Sequence, residues 1–276
     1  MKNFIIFLIF INNLFSLEKY KEENILSIWN VEEKKLKLFE HRKLKGLEQL
    51  NKLKFNDELW KIISEFYPED VINRIDKFVV FSDNNKNNRN GMSGLIESVD
   101  GTNNSRFILS VDIADAYYGN KISLEVFLNL LVHEFFHLVS LNDTQISPNY
   151  TKGVKIYEGY TYESSYINKF YEKFWNNSLG KKLEMLELNS KLSFAQKETI
   201  REEIYRYNQD KFIDTYAMTN MVEDIAVSFE DFIRLNKGYL GDSLKDKKID
   251  FFYSYADLVK YKNHFIQKKK EMIRKY

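Results

Sequence analysis

Leu128-Asn129-Leu130-Leu131-Val132-His133-Glu134-Phe135-Phe136-His137-Leu138-Val139 is the stretch that decides how this chain folds. From Ile122 to Ser140 there is no Gly or Pro, and nearly every residue from Val126 onward is apolar. A run that is hydrophobic all the way round predicts a buried helix over 122–140. Two histidines and a glutamate inside such a helix need partners. Residues four apart share one face of a helix, so His133 and His137 can reach a single metal ion while Glu134 points about 100° away. This is the His-Glu-x-x-His spacing of a hydrolytic zinc site. Two neutral imidazoles hold the ion, and the adjacent carboxylate takes a proton from water as it attacks a carbonyl. Chance alone produces the spacing in roughly one chain of this length in a hundred. Here two of only four histidines, His41, His133, His137 and His264, form it.

A zinc of this kind wants a third protein ligand. The local extension in which a glycine and a further histidine follow the motif is absent, because Ser140 and Asp143 stand at those positions. Asp143 reads as a loop acid. The distant candidate is Tyr216-Ala217-Met218-Thr219-Asn220-Met221-Val222-Glu223-Asp224-Ile225-Ala226. Apolar residues at 222, 225, 226, 229, 232 and 233 make a helical stripe, with Asn220 as N-cap and Glu223 at capping-box spacing.

His-Glu-x-x-His with a downstream helix carrying Glu resembles the gluzincin arrangement. Tyr-Ala-x-x-Asn-x-x-Glu-Asp-x-Ala resembles the second half-site of bacterial secreted zinc metallopeptidases. The layout is similar to the catalytic domain of anthrax lethal factor and to clostridial Pro-Pro endopeptidases. The resemblance implies an α+β, helix-dominated, zincin-like fold and a metalloendopeptidase holding one Zn²⁺ per chain. His133, His137 and Glu223 would be its metal ligands, with Glu134 as general base and Tyr216 as donor to the oxyanion. It extends over roughly residues 75–235, through the strand-like Phe78–Asp83 and Phe107–Asp115 and the helix-like Ser165–Phe170 with Phe174-Trp175. Two positions depart from the pattern. Many gluzincins place a second acid four residues after the ligand glutamate, where it steadies a ligating imidazole; here that residue is Val227. Phe136 stands where glycine is common, which implies a differently packed neighbour.

Plainer readings exist for each residue. A helix dipole favours Glu223 and Asp224 in a first turn whatever their function. Tyr216 is one of 18 tyrosines, and only its place seven residues before Glu223 singles it out. His41 and His264 sit in charged helical patterns and read as surface residues. The competing expectation, a peptidase fold without activity that serves as a binding module, rests on Val227. A closed structural zinc site is a third possibility.

The rest of the sequence places this chemistry. Residues 1–16, with Lys2, an apolar run from Phe4 to Ile11 and a small residue at Ser16, read as a secretory signal peptide, so the expectation is a bacterial protein that is secreted or periplasmic. The apolar run is short of the roughly 20 residues that span a bilayer. With no cysteine, no disulfide or lipid anchor follows export. A formal net charge of +1 gives no general pull towards nucleic acid, so the expected partner is a protein or peptide substrate. The basic stretch Lys260–Lys275 reads as a solvated helix end.

Three further segments flank the site. Residues 17–75 read as two or three amphipathic helices, 76–240 as the peptidase domain and 241–276 as a C-terminal helix. Three short strands at 78–82, 93–99 and 106–112 form a small sheet, with 106–112 as the edge beside the metal that pairs with substrate backbone. Residues 142–159 read as a loop at the rim of the cleft. Helices are expected at about 162–176, 182–190, 194–213, 220–235 and 244–275.

Overall fold

A computed structural model describes residues 24–43, 52–82, 94–99, 104–149, 152–237 and 240–276, so the expected signal peptide lies outside the described residues. The chain opens with a hairpin, β1 (Ile25–Glu32) and β2 (Lys35–His41), and continues through α1 (Leu53–Phe66) and α2 (Glu69–Ile72) into β3 (Ile75–Phe81). Two or three helices were the expectation for this region, and its first half corrects it. Glu33 and Lys34 both take positive φ, 50° and 63°, which is the two-residue turn that matches strand twist. Neither is Gly or Asn, so the turn carries no compositional mark, while β-branched and aromatic residues in Ile25-Leu26-Ser27-Ile28-Trp29 favour strand. Asn56 of α1 donates to Ser27 Oγ at 2.8 Å and Trp60 to the Lys34 carbonyl at 2.8 Å, which fastens α1 across the hairpin.

Strands β4 (Gly94–Ser98) and β5 (Phe107–Asp112) complete a five-stranded sheet in the order β2-β1-β3-β5-β4. The strand positions match the sequence reading, but the sheet has five strands instead of three, and the segment expected at its edge is interior. β5 pairs in parallel with β3, Val80 opposite Val111, and antiparallel with β4, Ile96 opposite Leu109. Phe78-Val79-Val80-Phe81 and Leu109-Ser110-Val111 are almost wholly buried, as strands covered on both faces are. β4, half-buried throughout, takes the edge.

From β5 the chain passes through α3 (Ile113–Ala116) and the two-residue strands β6 (Tyr117-Tyr118) and β7 (Lys121-Ile122) into α4 (Leu124–Ser140), the expected motif helix. Every residue of α4 from Leu131 to Ser140 is buried. The Tyr67 hydroxyl donates to the Leu131 carbonyl at 2.8 Å, tying α4 to the end of α1. The expected rim loop instead holds a small three-stranded sheet of β8 (Ile146-Ser147), β9 (Lys155-Ile156) and β10 (Gly159–Thr161).

Helices follow close to their expected places: α5 (Tyr166–Phe170) running into a wider turn at Tyr171–Trp175, α6 (Ser178–Glu187), α7 (Phe194–Arg206) and α8 (Met221–Arg234). The terminal segment is not one helix. α9 (Leu244–Phe251) and α10 (Ala256–Lys275) are separated by a tight turn, Phe252–Ser254, because Phe251 and Phe252 are both drawn into the core. There Phe136 packs on Phe229 at 4.6 Å between ring centroids, Phe135 on Phe265 at 4.7 Å and Phe229 on Phe252 at 5.4 Å. The bulk of Phe136 is thus absorbed by α8 and the α9–α10 turn; such ring pairs add about 0.5–1.5 kcal/mol each beyond area burial.

The basic tail is only partly solvated. Lys262 is buried and caps the end of α8, donating to the carbonyls of Phe232 and Leu235. His264 also departs from its surface reading, since its ring bonds the Phe66 carbonyl at 2.9 Å. No helix among the described residues is long and apolar enough to cross a membrane.

Candidate metal centre

The site forms where α4 crosses α8. Asn220 caps α8, its side-chain oxygen accepting from the backbone N–H groups of Val222 at 2.8 Å and Glu223 at 3.0 Å. Glu223 does not complete a capping box; its carboxylate turns towards α4. There His133 Nε2 lies 3.0 Å from His137 Nε2 and 3.0 Å from Glu223 Oε2, and His137 Nε2 lies 3.5 Å from that same oxygen. These three residues form the one His, Cys, Asp or Glu group with metal-ligand geometry found among the described residues.

Hydrogen-bond accounting shows what the three atoms fit. His133 Nδ1 lies 2.8 Å from Glu230 Oε1 and donates its proton there, which leaves Nε2 of a neutral ring as a bare lone pair. That lone pair faces a carboxylate oxygen and the Nε2 of His137. Three acceptors pointing at one another repel unless a cation sits among them. For metal–ligand bonds of about 2.0–2.1 Å, neighbouring ligands of a tetrahedral zinc stand about 3.3 Å apart. The observed separations fall around that value. Two imidazoles and a carboxylate are also a hydrolytic zinc donor set.

Without a metal, a proton does the cation's work. Burial by itself would lower the His133 imidazole, but hydrogen bonds to Glu223 and Glu230 outweigh it and hold the ring well above its ordinary pKa. Glu223 is correspondingly kept well below the usual carboxylate range: against the penalty of burial stand His137 and the hydrogen bonds from both rings.

Glu230 corrects an expectation. Sequence spacing puts Val227 where the outer acid is expected, one turn beyond Glu223. Glu230 lies two turns beyond Glu223, on the same helix face, and its longer reach makes the bond to His133. A search at seven-residue spacing finds it. Asp224 does other work. It is fully buried and accepts from Trp175 Nε1 at 2.6 Å and Lys248 Nζ at 2.5 Å. Burial raises its carboxyl and lowers the Lys248 ammonium, each opposed by its partner. This pair fixes the first turn of α8, from which Glu223 projects, to α9 and the turn after α5.

Glu134 is 4 % exposed, and its Oε2 is closed to solvent without a hydrogen-bond partner. Burial raises its carboxyl, with the two histidines pulling the other way. The edge strand runs directly over it: a Cβ placed on Gly94 would stand 2.7 Å from Glu134 Oε1 and 2.9 Å from Leu130 Cδ1. A side chain at this position would push the Glu134 carboxylate and the Leu130 methyl aside. Tyr216 begins a short turn, Tyr216–Met218, ahead of α8, with its ring centroid 5.9 Å from that of His133. Although 42 % of the residue is exposed, its hydroxyl is desolvated, and burial together with Glu223 and Glu134 pushes the phenol well above its usual pKa.

All five expected site residues are therefore brought together. Asp143 is not among them; it pairs with Arg74 at 3.0 Å. His41 lies on the outer hairpin and is exposed. Comparison with protein-family models, with curated proteins and with solved structures finds no match.

Proposed function

We propose that this protein is a zinc-dependent peptidase of gluzincin type, exported by its cell and acting on a protein or peptide. The observation that carries the reading is the convergence of His133 Nε2, His137 Nε2 and Glu223 Oε2 beside the unpartnered carboxylate of Glu134. Bound by those three atoms, a zinc ion would polarise a peptide carbonyl and ease deprotonation of water. Glu134 accepts that proton, its raised pKa bringing it closer to the range of a base that also returns the proton to the leaving amine. Tyr216, kept protonated, donates to the carbonyl oxygen as that atom gains charge. An extended peptide would add to the sheet along β4, the last strand of the sheet, and meet Glu134 at Gly94. The edge strand β4 beside the motif helix supports the expected zincin-like reading. The inactive-binder reading loses its motive, since Glu230 occupies the role that Val227 cannot fill.

The test is elemental analysis of protein purified without chelator, joined to cleavage of a peptide library. Close to one zinc per chain, lost in Glu223→Ala, and cleavage present in wild type but absent in zinc-loaded Glu134→Gln support the reading. A chain that takes up no zinc at micromolar supply sinks it.

A further inference from the structure

Of the five residues gathered at the site, Tyr216 is the most exposed, so the place of its hydroxyl depends on the backbone that carries it. That backbone follows a stretch without regular structure, residues 212–215 being neither helix nor strand. Side chains hold the stretch instead. Phe212 is buried, its ring 6.1 Å from that of Trp175 and 3.8 Å from Lys248 Nζ. Trp175 and Lys248 are the two donors that also hold Asp224, next to the ligand Glu223. One residue on, Tyr205 in the last turn of α7 donates its hydroxyl to the Ile213 carbonyl at 2.7 Å. Asp214 then reaches past Tyr216. Its Oδ1 accepts from the Ala217 N–H at 2.8 Å, closing a ring of chain that encloses Thr215 and Tyr216. Ala217 and Met218, just beyond, are fully buried.

Tyr216 is thus the outward member of a turn pinned on both sides, with its ring 5.9 Å from that of His133. Asp214 is itself exposed and fills no part of the core, so its bond serves this turn alone. Removing it deletes one cap from a surface turn and leaves the packing of the fold in place. An oxyanion donor, by contrast, is sensitive to small displacements, because its contribution depends on standing at hydrogen-bond distance from one atom.

We propose that Asp214 is a positioning residue for Tyr216, holding the turn so that the phenol faces the metal centre, with Tyr205 as a second pin on the same stretch. This rests on the peptidase reading and adds to it a residue that acts on the reaction only through Tyr216.

The test uses the full-length chain and two readouts. The first is a double-mutant cycle on a library peptide that the zinc-loaded wild type cleaves. Asp214→Ala should lower kcat about tenfold with KM within about twofold, the order expected for a displacement of a few tenths of an ångström. Asp214→Asn keeps an acceptor oxygen and should restore most of the rate. Tyr205→Phe, which removes a single hydroxyl, should lower kcat in the same direction by a smaller factor. Introduced into Tyr216→Phe, Asp214→Ala should change kcat less than about twofold. An equal loss in both backgrounds, or full turnover in Asp214→Ala, overturns the proposal.

The second readout needs neither zinc nor turnover. In protein labelled at tyrosine and histidine, the nuclear Overhauser contact between the Tyr216 and His133 rings is identified by its loss in Tyr216→Phe. It should persist in Asp214→Asn and fall to less than half in Asp214→Ala, and an undiminished contact in Asp214→Ala overturns the positioning role. A chain that cleaves nothing when loaded with zinc removes the peptidase reading, and the ring contact still decides whether Asp214 seats Tyr216.

Discussion

Glu230→Ala should weaken zinc binding about ten- to thirtyfold without unfolding the protein. The bond it removes, 2.8 Å from His133 Nδ1, is charge-assisted, and such bonds contribute about 1.5–3 kcal/mol. The Glu230 side chain keeps 33 % of its surface open to solvent, so screening and replacement by water bring the loss to the lower half of that range. At about 1.4 kcal/mol per factor of ten, a loss of about 1.5–2 kcal/mol is the stated change in Kd, inside the 10- to 100-fold span typical of outer partners of metal-bound histidine. The assay is competition for zinc against a chromophoric chelator at fixed pH, with circular dichroism as the control for folding. Glu230→Gln keeps an acceptor oxygen and should fall between wild type and Ala. An Ala variant with wild-type zinc affinity would refute the assignment, because the imidazole would then be oriented by its packing alone.

Lys248→Met leaves Asp224 buried with Trp175 as its remaining donor and should cost about 3–5 kcal/mol, on the order of ten degrees in Tm by calorimetry, whereas Asp224→Asn combined with Lys248→Met should cost much less; equal losses in the two variants would contradict the ion-pair account. Gly94→Ala sets a methyl 2.7 Å from Glu134 Oε1, so the carboxylate must retreat by roughly 0.7 Å to reach ordinary contact. Since a 1 Å misplacement costs about a hundredfold in rate, turnover should drop roughly tenfold or more with zinc content and Tm unchanged; full activity would show that Glu134 has room to move. Because His133 is held above its ordinary pKa, the metal-free protein carries a proton there at pH 7, and zinc must displace it. The stability this group lends the metal-free fold is complete below about pH 6.5 and is lost as pH rises through its raised value, so zinc affinity should climb over that same interval. Calorimetry in buffers of different ionisation enthalpy should find about one proton released per zinc at pH 7, and none released would mean that the ring is already neutral.

What could be read from the sequence, and what could not, divides by the range of the interaction. α4 and α8 were legible because their signals are local: an unbroken apolar run in one, an N-cap and a 3.6-residue stripe in the other. The ligands follow from side-chain direction on a helix, which spacing alone determines. The β1–β2 hairpin was hidden because Glu33 and Lys34 adopt positive φ without the Gly or Asn that usually marks it. The sheet edge was misplaced for another reason. Strand order depends on pairing between segments distant in the chain, and nothing within 106–112 announces that it will be flanked on both sides.

The clamp that Lys248 places on Asp224 has a consequence in time. His133 and His137 leave the ribosome well before Glu223, and Glu223 before Lys248 of α9 and the residues of α10, Lys262 and Phe265, that cap α8 and pack on Phe135. The motif helix can form early, but the first turn of α8, which carries the third ligand, lacks its buried ion pair until α9 is in place. On the proposed function, a growing chain would stay inert towards its own cell's proteins until α9 and α10 have packed on α8. A chain ended after Gly241 should hold zinc no better than Glu223→Ala, and tight zinc binding by that fragment would show that the ligand is positioned before the clamp closes.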